Sequence, residues 1–263
     1  MIQLQKEDLY KLEQWKDIVT DSTCYTVMQG LGGSAWVDDR SNPTGAALVY
    51  GDFCFLLGEA VENAEVELLN ILKKSDKTWS IFVPNSESWD KALEEETTFT
   101  KNERYLIKKK QEPFNKELLE SYAKRDLGDF QVKQIDAYWY QKALGEEWSK
   151  DLCSNFATAE DYVKHGLGFV IVKDDKVAAG ISSYAYYDKG IEIEIDTKEE
   201  FRKRGFATVL GATMILECMK RGLYPHWDAA NMVSVRTAKK LGYEYDRPYN
   251  AYSNVSLKTM QFI

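Results

Sequence analysis

In the first twenty residues the large apolar side chains recur in steps of three, at Leu9, Leu12, Trp15 and Ile18, and this spacing predicts an amphipathic helix over residues 1–20. Apolar runs within 30–57 read as strands about the turn Asn42-Pro43-Thr44-Gly45. Val61, Ala64, Val66, Leu68, Leu69 and Leu72 give 59–74 a helical stripe; 79–83 and 105–108 read as strands, and 115–127 as a helix. The second half is more sharply punctuated. A short helix over 159–165 leads to strands at 168–172, 177–187 and 191–196. Asp174-Asp175 and Asp188-Lys189-Gly190 separate them, so they read as an antiparallel meander. A long helix over 203–221 follows. Val209, Ala212, Ile215, Leu216 and Met219 make its apolar face, and Gly222 marks its end. Then come a short strand at 225–227, a helix over 231–241 closed by Gly242, and strands at 243–245 and 251–257.

This order predicts a mixed α+β fold of the α/β type: in the second half a central, mostly antiparallel sheet flanked by helices, preceded by a second α/β N-terminal domain. Gly30-Leu31-Gly32, a strand-like run and Asp38-Asp39 are echoed by Gly166-Leu167-Gly168, a strand and Asp174-Asp175. Either the first half is a diverged copy of the second, or the likeness is chance. The charged stretch Lys108-Lys109-Lys110-Gln111-Glu112-Pro113 marks a boundary near 110–130, and domains are assigned as 1–125 and 126–263.

Three segments carry chemistry. Arg202-Lys203-Arg204-Gly205-Phe206-Ala207 joins a strand to the long helix. Gly205 lets a ligand approach the backbone, and a helix start leaves N–H groups without intrahelical acceptors. Those groups and the helix dipole favour an anion such as a diphosphate. Exposed cations there oppose the dipole by about 0.3–1 kcal/mol each, a penalty that a bound anion removes; solvated charges on an ordinary helix start are the alternative. Ahead of this loop, Ile191-Glu192-Ile193-Glu194-Ile195-Asp196 alternates strictly, with one apolar and one carboxylate face. That is either a wet face or a row of carboxylates in a polar cleft, where one could act as a general base worth about 10²–10⁴-fold. Finally, Pro225-His226-Trp227-Asp228-Ala229-Ala230-Asn231 ends a strand and opens a helix at a capping residue, Asn231, followed by Ser234, Ala238, Leu241, Gly242 and Tyr243.

Taken in order, the meander, Arg-x-x-Gly-x-Ala, helix, strand, Asn-x-x-Ser, helix and Leu-Gly-Tyr resemble the GNAT superfamily of acyl-CoA-dependent N-acyltransferases. Glu192-Ile193-Glu194-Ile195-Asp196-Thr197 and Trp227-Asp228-Ala229-Ala230-Asn231 are similar, more narrowly, to the GNAT branch that includes zwittermicin A resistance acetyltransferases. The close match covers about residues 165–252. The resemblance implies acetyl-CoA as co-substrate. It implies that Arg202, Lys203, Arg204, Gly205, Phe206, Ala207 and Thr208 form the cradle for the CoA diphosphate. The backbone of Ile195, Asp196 and Thr197 would pair with the pantetheine arm, and Asn231 and Ser234 would contact the cofactor. A free amine is mostly protonated at neutral pH, and Glu192 or Glu194 would take its proton. Many GNAT enzymes carry a tyrosine seven residues after the Asn, as the acid for the leaving thiolate. That position is Ala238 here, which leaves Ser234, Tyr249, Tyr252 or water for the role.

Charge narrows the classes. Lys and Arg total 34 against 42 Asp and Glu, a formal −8, which speaks against broad phosphate-backbone binding. No apolar run approaches ~18 residues, and the start Met1-Ile2-Gln3-Leu4-Gln5-Lys6 lacks the basic and apolar regions of a secretory leader, so a cytoplasmic protein without a membrane partner is expected. Cys24, Cys54, Cys153 and Cys218 are widely spaced and His165 and His226 stand apart from them, so no metal site is expected. The leading reading is an N-acetyltransferase acting on an amine of a small, antibiotic-like molecule. The alternatives are a non-catalytic acyl-CoA sensor, suggested by Ala238, and transfer from aminoacyl-tRNA, suggested by the internal echo and opposed by the charge. The first half is expected to shape the acceptor pocket or a homodimer contact. The aromatic stretches 136–140 and 184–187 read as core packing or pocket lining.

Overall fold

The computed structural model describes residues 1–254. They pack as two compact units, residues 1–104 with 248–254, and residues 105–247.

The first unit contains β1 (Ile2–Gln3), a 3-10 helix (Lys6–Trp15), α1 (Thr23–Met28), β2 (Ser34–Val37), β3 (Gly45–Tyr50), β4 (Phe53–Gly58), α2 (Ala64–Lys74), β5 (Ile81–Pro84), α3 (Glu87–Glu94) and the start of β6 (Thr100–Lys108). Strands β1 to β4 pair antiparallel in chain order, and β5 adds to β4 in parallel. The N-terminal helix is 3-10 rather than α because a step of three is the period of a 3-10 turn. It buries Leu12 and Trp15, while Ile18 lies beyond its end and is exposed. Helix α2 starts at Ala64, later than the apolar stripe suggests, after a left-handed Asn63. It buries Ala64, Leu68, Ile71 and Leu72, and leaves Val66 and Leu69 in solvent.

The second unit takes the rest of β6, then α4 (Lys116–Ala123), β7 (Gln131–Gln134), α5 (Ala137–Leu144), α6 (Ala159–His165), β8 (Gly168–Lys173), β9 (Lys176–Tyr187), β10 (Gly190–Thr197), α7 (Phe206–Arg221), β11 (Tyr224–His226), β12 (Asp228–Ala229), α8 (Met232–Lys240) and the start of β13 (Glu244–Ser253). Its sheet runs β7-β8-β9-β10-β11, antiparallel except for the β10/β11 pair. On one side Ile171, Ile181, Ile191 and Ile193 pack with Val209, Leu210 and Ile215 of α7. Val170 and Val172 share a second cluster with Tyr140, Phe156 and Tyr162. Fully buried Leu119 ties α4 into the α7 cluster, which is why the units divide after Arg104 and not at 125/126. The strands expected at 243–245 and 251–257 are one, β13. Its last residues, Tyr252 and Ser253, pair with β5 in the first unit, and 255–257 lie outside the described residues.

Both units follow one order: strand, helical segments (two in the first unit, three in the second), antiparallel three-strand meander, helix, parallel strand, helix. The echoed glycines lead into the first meander strand of each, β2 after Gly33 and β8 at Gly168.

Candidate functional site

Strand β10 presents its isoleucines to α7 and its carboxylates to the other face, as the alternation predicts. Its parallel pairing with β11 stops at Glu192, which stands in register with His226. From there β10 continues to Thr197 along β9 alone, while the chain after β11 turns away as β12 to pair with Leu106 and Tyr105 of β6. The two strands therefore open into a notch. Its floor is held by Glu192, 6% exposed, whose Oε1 accepts the Asp228 N–H at 3.0 Å. Register slips opposite Glu192/Ile193, where Tyr184 is the extra residue on β9; the Asn155 amide takes its carbonyl at 3.1 Å. Glu194, Ile195, Asp196 and Thr197, along the opened stretch, are half-buried. Burial pushes the Asp196 carboxyl up from its ordinary range. The Thr197 N–H and Arg202 oppose that shift, and Asp151 adds to it.

The opened strand leads straight to the basic loop. Arg202, Lys203 and Arg204 are exposed, and Gly205 is half-exposed. Lys203 (φ 65°) and Gly205 (φ 83°) are both left-handed, so the turn curls before α7 begins. The Thr208 and Val209 N–H groups return to the Gly205 carbonyl at 3.1 and 3.3 Å. The amides of Lys203 through Ala207 find no backbone acceptor among the described residues. Under the turn, Phe130 packs on Phe206 and Phe201, with centroids 5.0 and 5.4 Å apart. Arg204 lies over Phe130 and Phe201, and Arg202 Nε donates to the Thr197 carbonyl at 3.2 Å. A further cation enters from α4: a Cβ on Gly205 would stand 2.5 Å from Nη1 of Arg125. Exposed amides at the start of a long helix, among four cations, fit an anionic diphosphate. Neither Arg125 nor Phe130 is marked by the loop motif; only the packing of α4 and the 130 segment brings them there.

Asn231 caps α8, its Oδ1 accepting from the Val233 and Ser234 amides at 2.9 and 3.0 Å. Asn231 itself is exposed. Ser234 Oγ accepts the Trp227 indole N–H at 2.9 Å, and its own proton is left to donate. Ala238 is buried in the α7 cluster. Of the tyrosines named as proton donors, Tyr252 gives its hydroxyl to Asp90 and Tyr249 accepts from Arg104, both within the first unit. The aromatic stretches largely pack the interior. Tyr140 donates to the Phe156 carbonyl, Tyr186 stacks on His165, and Tyr187 meets His226 Nε2 at 2.9 Å; Tyr138 alone of these is well exposed. Among the described residues no His, Cys, Asp and Glu group is arranged for a metal, and all four cysteines are buried thiols.

The corresponding strand of the first unit is closed. β4 keeps its parallel partner from Phe53 to Leu56, and the Leu56 carbonyl also accepts from Asn85. Beyond it, the Leu57 carbonyl accepts the indole N–H of fully buried Trp89 at 3.1 Å, and the Gly58 carbonyl accepts from Ser86 at 2.6 Å. The Ala60 amide donates to Ser88 Oγ at 2.7 Å. Where the second unit has cations, the first has Glu59 and Glu62, then Glu65 and Glu67 in the first turn of α2.

A sequence model described as GNAT acetyltransferase matches residues 11–252. The crystal structure of a GCN5-related N-acetyltransferase-like protein from Streptococcus suis superposes with a TM-score of 0.85 at 36% identity, over 94% of this chain and 98% of that one. An uncharacterized N-acetyltransferase of Bacillus subtilis, YdfB, is 23% identical over 95% of this chain and 98% of its own. A tandem GNAT protein from the clavulanic acid biosynthesis pathway shares the fold at a TM-score of 0.53 and 11% identity, covering 96% of this chain and 97% of that one.

Proposed function

The chain belongs to the GNAT acetyltransferase family, an acyltransferase family, and from that premise we propose that it moves an acetyl group from acetyl-CoA to the amine of a small molecule. The observation that carries this reading is the opened edge of β10 after Glu192, running into the exposed, cation-lined start of α7. A pantetheine arm can add to that edge as an extra strand would, with the diphosphate at the amides of Lys203 to Ala207.

In the transfer, the amine nitrogen bonds to the thioester carbonyl carbon, the C–S bond breaks, and CoA leaves as thiolate. Glu194, on the opened stretch, and Glu192, at its floor, are the candidate carboxylates to receive the amine proton, directly or through water. Glu192 also has a structural role, because its bond to the Asp228 amide fixes where the strands part. The Ser234 hydroxyl is the candidate donor to the thiolate. The narrower resemblance of Glu192–Thr197 and Trp227–Asn231 to zwittermicin A resistance acetyltransferases supports an antibiotic-like amine as acceptor.

The test is CoA release from acetyl-CoA across a panel of small amines, comparing the protein with the Glu192→Gln/Glu194→Gln double variant. Amine-dependent release that the double variant lacks supports the proposal. Acetyl-CoA binding with release no faster than in the double variant for every amine would leave a sensor, not an enzyme of this specificity.

A further inference from the structure

We infer that Arg125, outside the loop motif, is a phosphate-binding side chain of this site, directed at the CoA diphosphate; this rests on the acetyl-CoA reading above. The motif's own arginines are engaged elsewhere. Arg202 donates to the Thr197 carbonyl, and Arg204 is drawn over the rings of Phe130 and Phe201. Arg125 instead brings Nη1 against Gly205, the residue whose missing side chain leaves room for it. Its placement follows from the core: Leu119 anchors α4 on α7, and the chain leaving Ala123 passes the start of α7. Arg125 is exposed, and no ion pair holds it among the described residues. A guanidinium at the positive end of a helix is unfavourably placed until an anion lies between them. A planar fork of donors is suited to bridging phosphate oxygens there.

Calorimetric titration of the full chain with CoA, dephospho-CoA and acetyl-CoA tests this. Arg125→Ala is expected to weaken all three about tenfold, with Arg125→Lys recovering part of the loss and circular dichroism unchanged. Equal affinity in Arg125→Ala and the unmodified protein overturns the inference and leaves the acetyl-CoA reading standing. A loss confined to the ligands that carry the 3′-phosphate overturns the diphosphate assignment. No binding by the unmodified protein would remove the reading on which the inference rests.

A different observation carries a second inference. The first unit repeats the element order of the second, yet its own side chains occupy the equivalent groove: Trp89, Ser86 and Ser88 take the backbone groups that a pantetheine arm would need, and glutamates replace the cations. We infer that the chain holds one acyl-CoA, in the second unit. Equilibrium dialysis with labelled acetyl-CoA is expected to give one bound per chain, and none after Gly205→Glu. Two bound per chain, or binding that survives Gly205→Glu, would overturn this; no binding by the unmodified chain would overturn it together with the acetyl-CoA reading.

Discussion

At the scale of single residues, the informative side chains are those with two roles. Glu192 is both a candidate base and the acceptor of the Asp228 amide. Gln keeps an acceptor oxygen, so Glu192→Gln is expected to fold normally while losing about 10²–10⁴-fold in rate if Glu192 takes the proton. Ala leaves the amide unmet and is expected to cost about 1–3 kcal/mol as well; paired steady-state kinetics and denaturant titrations separate the two. His226 sets an acid limit. Burial, with a contribution from Lys109, brings its pKa down to about 3, whereas the unfolded chain takes up that proton near 6.5. The unfolded state thus binds the proton first, and stability present above pH 6.5 is lost as pH falls toward 3. His226→Gln is expected to flatten that decline between pH 7 and 4, measured by denaturant midpoints. The sequence displays the carboxylates through their alternation, but it does not show that one of them is bound to the backbone of a strand thirty-odd positions away.

At the scale of elements, the loop into α7 depends on a left-handed Gly205. Gly205→Ala is expected to cost about 1–2 kcal/mol from backbone strain and to crowd Arg125, weakening acetyl-CoA in the same calorimetric titration. Asn231→Ala removes the cap of α8 and is expected to lower stability by about 1 kcal/mol, read as a lower thermal midpoint. Helices with a full apolar stripe, such as α7, are legible in the sequence almost to their ends. Those with few apolar residues are not. α3 buries only Trp89 and Leu93, and β7 has a single apolar side chain, Val132, so neither has a visible period. At the N-terminus the period is visible and suggests an α-helix, although a step of three describes a 3-10 turn better.

At the scale of the whole molecule, a chain of net charge −8 concentrates four cations at one helix start. Acetyl-CoA affinity is therefore expected to fall with added salt, since exposed charges are screened within about 8–10 Å at physiological ionic strength. The faint glycine and Asp-Asp echo accompanies a repeat of element order, which the paired strands reveal and the hydrophobic pattern does not. The second unit keeps an open strand edge and a basic turn; the first fills the edge from within. The most direct measurement is amide hydrogen exchange with and without acetyl-CoA. Slowed exchange confined to peptides covering 193–197 and 203–208, with the first unit unchanged, is the expected result. Unchanged exchange in both peptides at saturating acetyl-CoA would contradict it.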